Sequence, residues 1–239
     1  MADFTIPYEG RLLHGDAIDG DPARPLLIIH GAGESHRGRL AGWRGALQAR
    51  GIGSTAFDCI GHGTTGGTLA ESSLASRTRQ AEAVLQARGM HGPVALYGTS
   101  MGAYNALRIA ARRTVPALVL VVPGVYTPAA YETPFGPQFS QLIRQPRSWM
   151  ASDAWDILSR YTGSLLVIAA EHDAVIPLEI PQRLMDSAVR SCWRRLLVVP
   201  GTEHNRLFSV LQERPAELDA TLSTITECLH AGFAALPHS

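Results

Sequence analysis

The sequence predicts an α/β fold, a mainly parallel central sheet of about eight strands flanked by helices, with one short insertion. Continuous apolar runs, typical of strands covered on both faces of a parallel sheet, alternate along the chain with segments of helical apolar spacing. Strands that alternate with helices in this way form parallel sheets with right-handed crossovers. The 239 residues suffice for one well-buried domain, which we expect to span residues 1–239.

The first half of the chain supplies a hairpin, three buried strands and three helices. Extended runs at 4–6 and 11–14 are separated by Glu9 and Gly10, which predicts a hairpin at a sheet edge. Continuous apolar runs predict buried strands at 26–30, 55–59 and 94–97. Helical apolar spacing predicts helices over about 36–50, 71–88 and 103–112.

The second half repeats this alternation after an insertion of different character. Buried strands are predicted at 117–122, 165–169 and 196–199, and helices at about 178–189 and 215–236. Residues 124–163 are rich in proline and aromatic residues, and we expect them to form a lid between two strands. The last part of this segment, 148–161, is expected to form one amphipathic helix.

The composition argues against several classes of protein. The formal net charge is zero, so nothing indicates nucleic acid or an anionic membrane as a partner. The chain contains no lysine, which excludes a Schiff-base lysine, a Walker-type phosphate loop and a Ser-Lys dyad. The three cysteines are widely spaced and fit neither a disulfide framework nor a zinc site.

The chain shows no targeting or membrane-spanning pattern. Residues 1–10 lack the apolar core of a signal peptide, and no run of about 18 apolar residues occurs. We therefore expect a cytoplasmic protein without a membrane partner.

The segment Gly98-Thr99-Ser100-Met101-Gly102 has the pattern of a nucleophile elbow, G-x-S-x-G, between a predicted strand and a predicted helix. A serine on such a sharp turn needs neighbours without side chains, which explains the two glycines. The turn presents Oγ to a substrate, and the helix N-terminus behind it favours developing negative charge. Ser100 is therefore the predicted nucleophile.

Two further residues follow predicted strands in the order that a Ser-Asp-His triad requires on such a sheet. Asp173 lies in the loop after strand 165–169, and His204 follows strand 196–199. His204 would be the general base and acid, and Asp173 would fix its tautomer. Glu171 is the alternative acid; we favour Asp173 because it lies further along the loop. Six other histidines are less well placed as bases, because none of them lies in a loop after the last strand: His14, His30, His36, His62, His91 and His172.

The oxyanion formed when a serine attacks a carbonyl group needs two backbone N–H donors. Met101, directly after the nucleophile, is the first expected donor. Ala32, in the loop His30-Gly31-Ala32-Gly33, is the second. Gly31 and Gly33 would let the backbone approach a substrate closely. No metal ligand set is predicted.

Taken together, these motifs resemble those of the α/β-hydrolase superfamily from residue 26 to the last helix. The segments 30–35 and 61–67 are similar to those of monoacylglycerol lipases and compact feruloyl and cinnamoyl esterases. The resemblance implies the α/β-hydrolase fold, a small-molecule ester-type substrate, an acyl-enzyme on Ser100 and no cofactor. The lid is shorter than the cap of monoacylglycerol lipases, which argues against long acyl chains.

The aromatic residues of the lid are candidates for an apolar acyl or aryl site, in particular Tyr126, Phe135, Phe139 and Trp149. The sequence therefore predicts a serine hydrolase of the carboxylesterase type that cleaves a small carboxylic ester or thioester. Two alternatives remain: an acyltransferase with the same triad, and a non-catalytic ligand-binding protein on the same fold.

Overall fold

The computed structural model describes residues 1–237 and centres on an eight-stranded sheet. The strands are β1 (Ala2–Tyr8), β2 (Arg11–Ile18), β3 (Leu26–Ile29), β4 (Ser54–Phe57), β5 (Ala95–Thr99), β6 (Ala117–Val121), β7 (Ser164–Ala170) and β8 (Trp193–Val199). Their order across the sheet is β1-β2-β4-β3-β5-β6-β7-β8. The pairs β1–β2 and β2–β4 are antiparallel, and β3 to β8 are parallel to one another. The predicted fold class is confirmed.

Helices cover both faces of this sheet. They are α1 (Ala41–Gln48), α2 (Leu74–Ala87), α3 (Met101–Ala110), α4 (Pro137–Ile143), α5 (Ala154–Arg160), α6 (Glu179–Ser187), α7 (Leu207–Glu213) and α8 (Pro215–Ala234). Apolar side chains of α2, α3 and α6 form one core layer with the sheet. Those of α1, α7 and α8 form the other layer. No helix in the described part of the chain is long and apolar enough to cross a membrane.

The hairpin at the sheet edge forms as predicted but is longer on both sides. Its turn consists of Glu9 and Gly10, which have φ values of 46° and 78°. Such left-handed conformations suit a tight connection between antiparallel strands. Ile6 and Leu13 point into the core, whereas Leu12 is exposed, as the alternation of a sheet edge requires.

Several predicted boundaries are wrong, and a local hydrogen bond explains the first of them. The helix predicted from residue 71 begins at Leu74, because the hydroxyl of Ser73 caps it by accepting the N–H of Ser76. The helix predicted over 36–50 begins as a 3₁₀ turn, Arg37–Leu40, before α1. The prediction also missed α7, which directly precedes α8 and is separated from it by Arg214.

The lid segment, which we define as residues 124–163, lies between β6 and β7. It contains the 3₁₀ turns Pro128–Ala130 and Ser148–Ala151 in addition to α4 and α5. The single helix predicted over 148–161 is wrong. Ser152 is extended, with ψ of 140°, and its hydroxyl accepts the N–H of Ala154 at the start of α5. A serine that competes for backbone hydrogen bonds therefore divides the segment.

Candidate active site

Ser100 lies on the sharp turn between β5 and α3. Its φ of 51° and ψ of −116° are unusual for a residue with a side chain. The neighbouring strand β6 and the residues after it hold this conformation. The Ser100 N–H donates to the carbonyl of Val121 at 2.8 Å, and its carbonyl accepts the N–H of Gly124 at 3.1 Å.

The two glycines of the turn are required by close backbone contacts. A Cβ on Gly98 would lie 2.5 Å from the Cα of Ala103, and a Cβ on Gly102 would collide with the carbonyl oxygen of Ile29. Because these neighbours are backbone atoms, they cannot move aside as a side chain would. The glycines therefore let α3 pack directly against the sheet behind Ser100.

His204 and Asp173 meet Ser100 at the carboxyl edge of the sheet. His204 Nε2 lies 3.0 Å from Ser100 Oγ, and His204 Nδ1 lies 2.8 Å from Asp173 Oδ2. The other carboxylate oxygen of Asp173 accepts the N–H groups of Val175 and Ile176, both at 2.8 Å. With Nδ1–H donating to the carboxylate, Nε2 is left as the acceptor that faces the serine hydroxyl.

Glu171, the alternative acid, faces a different partner. Its Oε2 accepts the N–H of Gly201 at 2.8 Å, and the N–H of His172 donates to the carbonyl of Thr202 at 2.8 Å. These bonds join the loop after β7 to the loop after β8. The contact between Asp173 and His204 therefore lies between two loops that are already held together.

The loop after β3 approaches Ser100 from the other side. A Cβ on Gly31 would lie 3.3 Å from the Cβ of Ser100 and 3.3 Å from the carbonyl of Thr99. Within the described residues, neither the Ala32 N–H nor the Met101 N–H donates to a backbone carbonyl outside the regular elements. Both groups are therefore available to an oxyanion.

Two cavities meet at this loop. The first has a volume of about 520 Å³, and its lining includes Ser100, His204, Asn205 and Val122. The second has a volume of about 260 Å³ and is mostly apolar, lined by Met101, Leu69, His62, Gly136, Ser140, Phe135 and Phe139. Ala32 and Gly33 line both cavities, and Gly31 lines the first. An open hollow of about 870 Å³ at Asp21 and His230 shares no residue with either.

The four aromatic residues predicted for substrate binding have different surroundings. Phe135 and Phe139 line the 260 Å³ cavity and pack edge to face, with ring centroids 4.9 Å apart. Tyr126 packs between Phe139 and Tyr104, and burial raises the pKa of its phenol to about 12. Trp149 packs instead against Trp155 in the outer part of the lid segment.

Two histidines near the loop after β3, His30 at its start and His62 in the segment after β4, are buried and keep neutral rings. Burial lowers the pKa of His62 to about 4 and lowers that of His30 well below its usual value. His30 Nε2 accepts the N–H of Cys59 at 3.0 Å, so Nδ1 carries the proton and donates to the Gly31 carbonyl at 2.7 Å. His30 therefore connects β4 to the loop that carries Ala32.

The sequence reasoning missed two residues at this site. Val122 lines the larger cavity with φ of 41°, a rare conformation for a β-branched residue, and no pattern in the sequence signals it. Arg77 is completely buried beneath the loop. Its position was readable, because residues 74, 77, 81 and 84 follow the spacing of the inward face of α2.

The sheet order and the serine turn are those of the α/β-hydrolase superfamily. Residues 20–153, more than half of the chain, match the Hydrolase_4 family, described as serine aminopeptidase, S33. The chain belongs to this family.

Individual relatives are more distant. An uncharacterized protein of Mycobacterium tuberculosis is 28% identical over 188 residues, which is 76% of this chain, and the match spans 63% of that relative's length. Two solved structures share the fold. Est1E from Butyrivibrio proteoclasticus, with ferulic acid bound, has a TM-score of 0.69, 18% identity and coverage of 93% of this chain and 99% of its own. A monoacylglycerol lipase from Paleococcus ferrophilus has a TM-score of 0.70, 19% identity and coverage of 92% and 99%.

Proposed function

We propose that the chain hydrolyses a small carboxylic ester or thioester through an acyl-enzyme on Ser100. The observation that carries this proposal is the continuous hydrogen-bonded series from Ser100 Oγ through His204 to Asp173, at 3.0 and 2.8 Å. Nucleophile, base and orienting acid are thus already within the distances that proton transfer requires.

In the first half of the proposed reaction, Ser100 Oγ attacks the carbonyl carbon while His204 Nε2 takes the hydroxyl proton. The N–H groups of Ala32 and Met101 stabilise the oxyanion of the tetrahedral intermediate. The intermediate expels the alkoxide or thiolate, which receives the proton from His204, and the acyl-enzyme remains. Asp173 stabilises the transient imidazolium.

In the second half, His204 takes a proton from water as the water oxygen attacks the acyl-enzyme carbonyl. Collapse of this second intermediate breaks the bond to Ser100 Oγ, and His204 returns the proton to the serine. The carboxylic acid leaves. No group is oxidised or reduced and both side chains return to their starting state, so the cycle consumes only the ester and water.

The two cavities support an assignment of the two sides of the substrate. The 260 Å³ cavity beside Ala32 and Met101 is lined mainly by apolar groups and suits a short acyl or aryl group. The larger cavity holds the reacting atoms and polar residues such as Asn205, which suits the leaving group and incoming water.

The family description names an aminopeptidase, so peptide hydrolysis is a second candidate function. An aminopeptidase has to hold the positive terminal amine of its substrate, most directly with a carboxylate. The carboxylate that lines the larger cavity, Glu34, has a side chain that is 90% exposed and paired with Arg39. Such a solvated pair contributes little binding free energy, so we favour the ester.

The test is a panel of p-nitrophenyl esters from acetate to laurate, together with aminoacyl p-nitroanilides. We expect ester turnover with an optimum below laurate, and we expect Ser100→Ala to abolish it. Ser159→Ala is the matched control, because this exposed hydroxyl donates only to the carbonyl of Asp156 within α5. Turnover of anilides alone would make the protein a peptidase. If neither substrate class is hydrolysed in water, ester turnover that begins when an alcohol is added would identify an acyltransferase.

A further inference from the structure

The guanidinium group of Arg77 is buried without a counter-ion. The other arginines with largely buried side chains, Arg37, Arg44 and Arg108, each contact a carboxylate. Arg77 is 0% exposed, and no carboxylate of the described residues lies within salt-bridge distance of it. Its Nη1 also lacks a hydrogen-bond partner in that part of the chain. Burying an unpaired charge costs free energy, and Arg77 is therefore an unusual residue to find in this core.

Two hydrogen bonds of Arg77 are directed at one stretch of backbone. Nη2 donates to the carbonyl of His30 and, at 3.1 Å, to the carbonyl of Gly31. Nε donates to Asn105 Oδ1 at 3.3 Å, and the Asn105 amide is anchored to α2 by bonds to Leu74 and Thr78. The guanidinium is thereby held in place beneath the loop after β3.

The carbonyl of Gly31 and the N–H of Ala32 belong to the same peptide unit. In a trans peptide these two groups point in opposite directions, and the described residues contain no cis peptide bond. With the carbonyl turned inward to Arg77, the Ala32 N–H is turned away from Arg77. A reversed peptide would break the charge-assisted bond and place a carbonyl where the donor is needed.

We propose that Arg77 is a positioning residue that orients and polarises the Gly31–Ala32 peptide, so that the Ala32 N–H stabilises the oxyanion. This inference rests on the proposed function. A cation at the carbonyl end of the peptide draws electron density away from the N–H and makes it a stronger donor. The same positive charge, kept in a medium of low polarity, also favours the negative charge that develops on the substrate oxygen.

Two variants separate this role from simple packing. Arg77→Gln removes the charge, and we expect kcat to fall by about 10- to 100-fold, with KM changed by less than about threefold. Arg77→Lys keeps the charge with a less suitable geometry, and we expect a loss of about three- to tenfold. The matched control is Arg44→Lys. Arg44 is equally buried but bonds Asp16 and Ser54 in the opposite core layer, so its variant should lower Tm with kcat unchanged.

The second readout is inhibition by an alkyl trifluoromethyl ketone, whose adduct with Ser100 places a negative oxygen where the oxyanion forms. We expect its Ki to rise in the two Arg77 variants in proportion to the loss of kcat/KM. Folded Arg77 variants with wild-type kcat and Ki would overturn the inference, as would a loss of kcat with Ki unchanged. If Arg77→Gln does not fold, Arg77→Lys decides by the same criteria. A wild-type protein that cleaves no ester would overturn the proposed function and this inference together.

Discussion

At the scale of single residues, Asp173 and Glu171 illustrate how chemistry depends on small differences of position. Both carboxylates follow β7, and both accept backbone N–H groups. Only Asp173 also reaches His204, with one oxygen on the ring and the other on two backbone donors. The backbone donors therefore fix the orientation of the Asp173 carboxylate independently of the imidazole, which is the property expected of an orienting acid.

Asp173→Asn should lower kcat by about 10³- to 10⁴-fold. The amide can keep the contact to Nδ1 only by donating to it, which holds the ring in the wrong tautomer. The control is Glu171→Gln, since a glutamine oxygen can still accept the Gly201 N–H. We expect its kcat to stay within a few-fold of wild type in the p-nitrophenyl ester assay. Equal losses in the two variants would contradict the assigned roles.

At this scale, sequence reasoning predicts which residues lie together when the topology of the sheet brings them to one place. Ser100, Asp173 and His204 each follow a parallel strand, and the carboxyl ends of such strands lie at one edge. Arg77 was overlooked because an arginine in a helix is usually solvated, although its spacing placed it on the inward face. The positive φ of Val122 could not be predicted, because it depends on how β6 and β7 meet.

At the scale of elements, the junction of β5 and α3 depends on the absence of side chains at Gly98 and Gly102. The sequence motif identified both glycines. The motif does not show which atoms these glycines contact. Gly98 lies against the backbone of Ala103, and Gly102 lies against the backbone of β3.

Gly102→Ala should lower the free energy of unfolding by more than about 3 kcal/mol or prevent folding, because its Cβ would overlap the backbone of Ile29. The control is Gly45→Ala in α1. A Cβ there meets no atom within 4 Å, and alanine should stabilise the helix by about 0.5–1 kcal/mol. Urea denaturation of both variants measures the difference. A Gly102→Ala protein as stable as wild type would show that the described contact is wrong.

The lid segment is fastened to α3 at the start of α5. Asp153 accepts the hydroxyl of Tyr104 at 2.6 Å and forms a salt bridge with Arg108. Arg108 in turn lies over the ring of Tyr131, 3.8 Å from its centroid. This anchor was not predicted from the sequence. In the continuous helix expected over 148–161, Asp153 is an ordinary polar position in the middle of the helix.

Asp153→Asn should lower the free energy of unfolding by about 1–3 kcal/mol, because it weakens two charge-assisted hydrogen bonds. We also expect faster limited proteolysis between residues 137 and 160 under native conditions. Asp156→Asn, at an exposed position of the same helix, is the control and should cleave at the wild-type rate. Unchanged proteolysis in both variants would argue against Asp153 as the anchor.

At the scale of the whole molecule, the two core layers and the strand order place all the reacting groups at one edge of the sheet. The alternation of strands and helices was sufficient to predict this architecture. The cavities were not predictable, because their shapes depend on how α4 and the neighbouring turns of the lid segment pack over Ala32 and Met101.

The buried histidines make the stability of the whole fold depend on pH. The unfolded chain binds a proton at His62 near pH 6.5, whereas the folded chain does so only near pH 4. The unfolded state therefore binds more protons in this range, and the free energy of unfolding falls as pH drops from about 6.5 to 4. His62 and His30 both contribute to this loss, because burial lowers the pKa of each ring.

His62→Asn should make the free energy of unfolding less dependent on pH between 6.5 and 4. Asparagine can still donate to the Ile60 carbonyl near which Nδ1 lies, but it does not titrate. Urea unfolding at several pH values measures the effect, and His91→Asn at an exposed position should keep the wild-type pH dependence. Parallel curves for wild type and His62→Asn would contradict the assignment.

The most direct test of the central claim is to locate the nucleophile with a fluorophosphonate and mass spectrometry. Since the chain has no lysine, trypsin cleaves only after arginine, and the peptide 89–108 contains Ser100 as its one serine. We predict a single phosphonyl adduct on this peptide in the wild type, and none in His204→Ala within the same reaction time. Failure of the wild type to react, or an adduct on another peptide, would contradict the account.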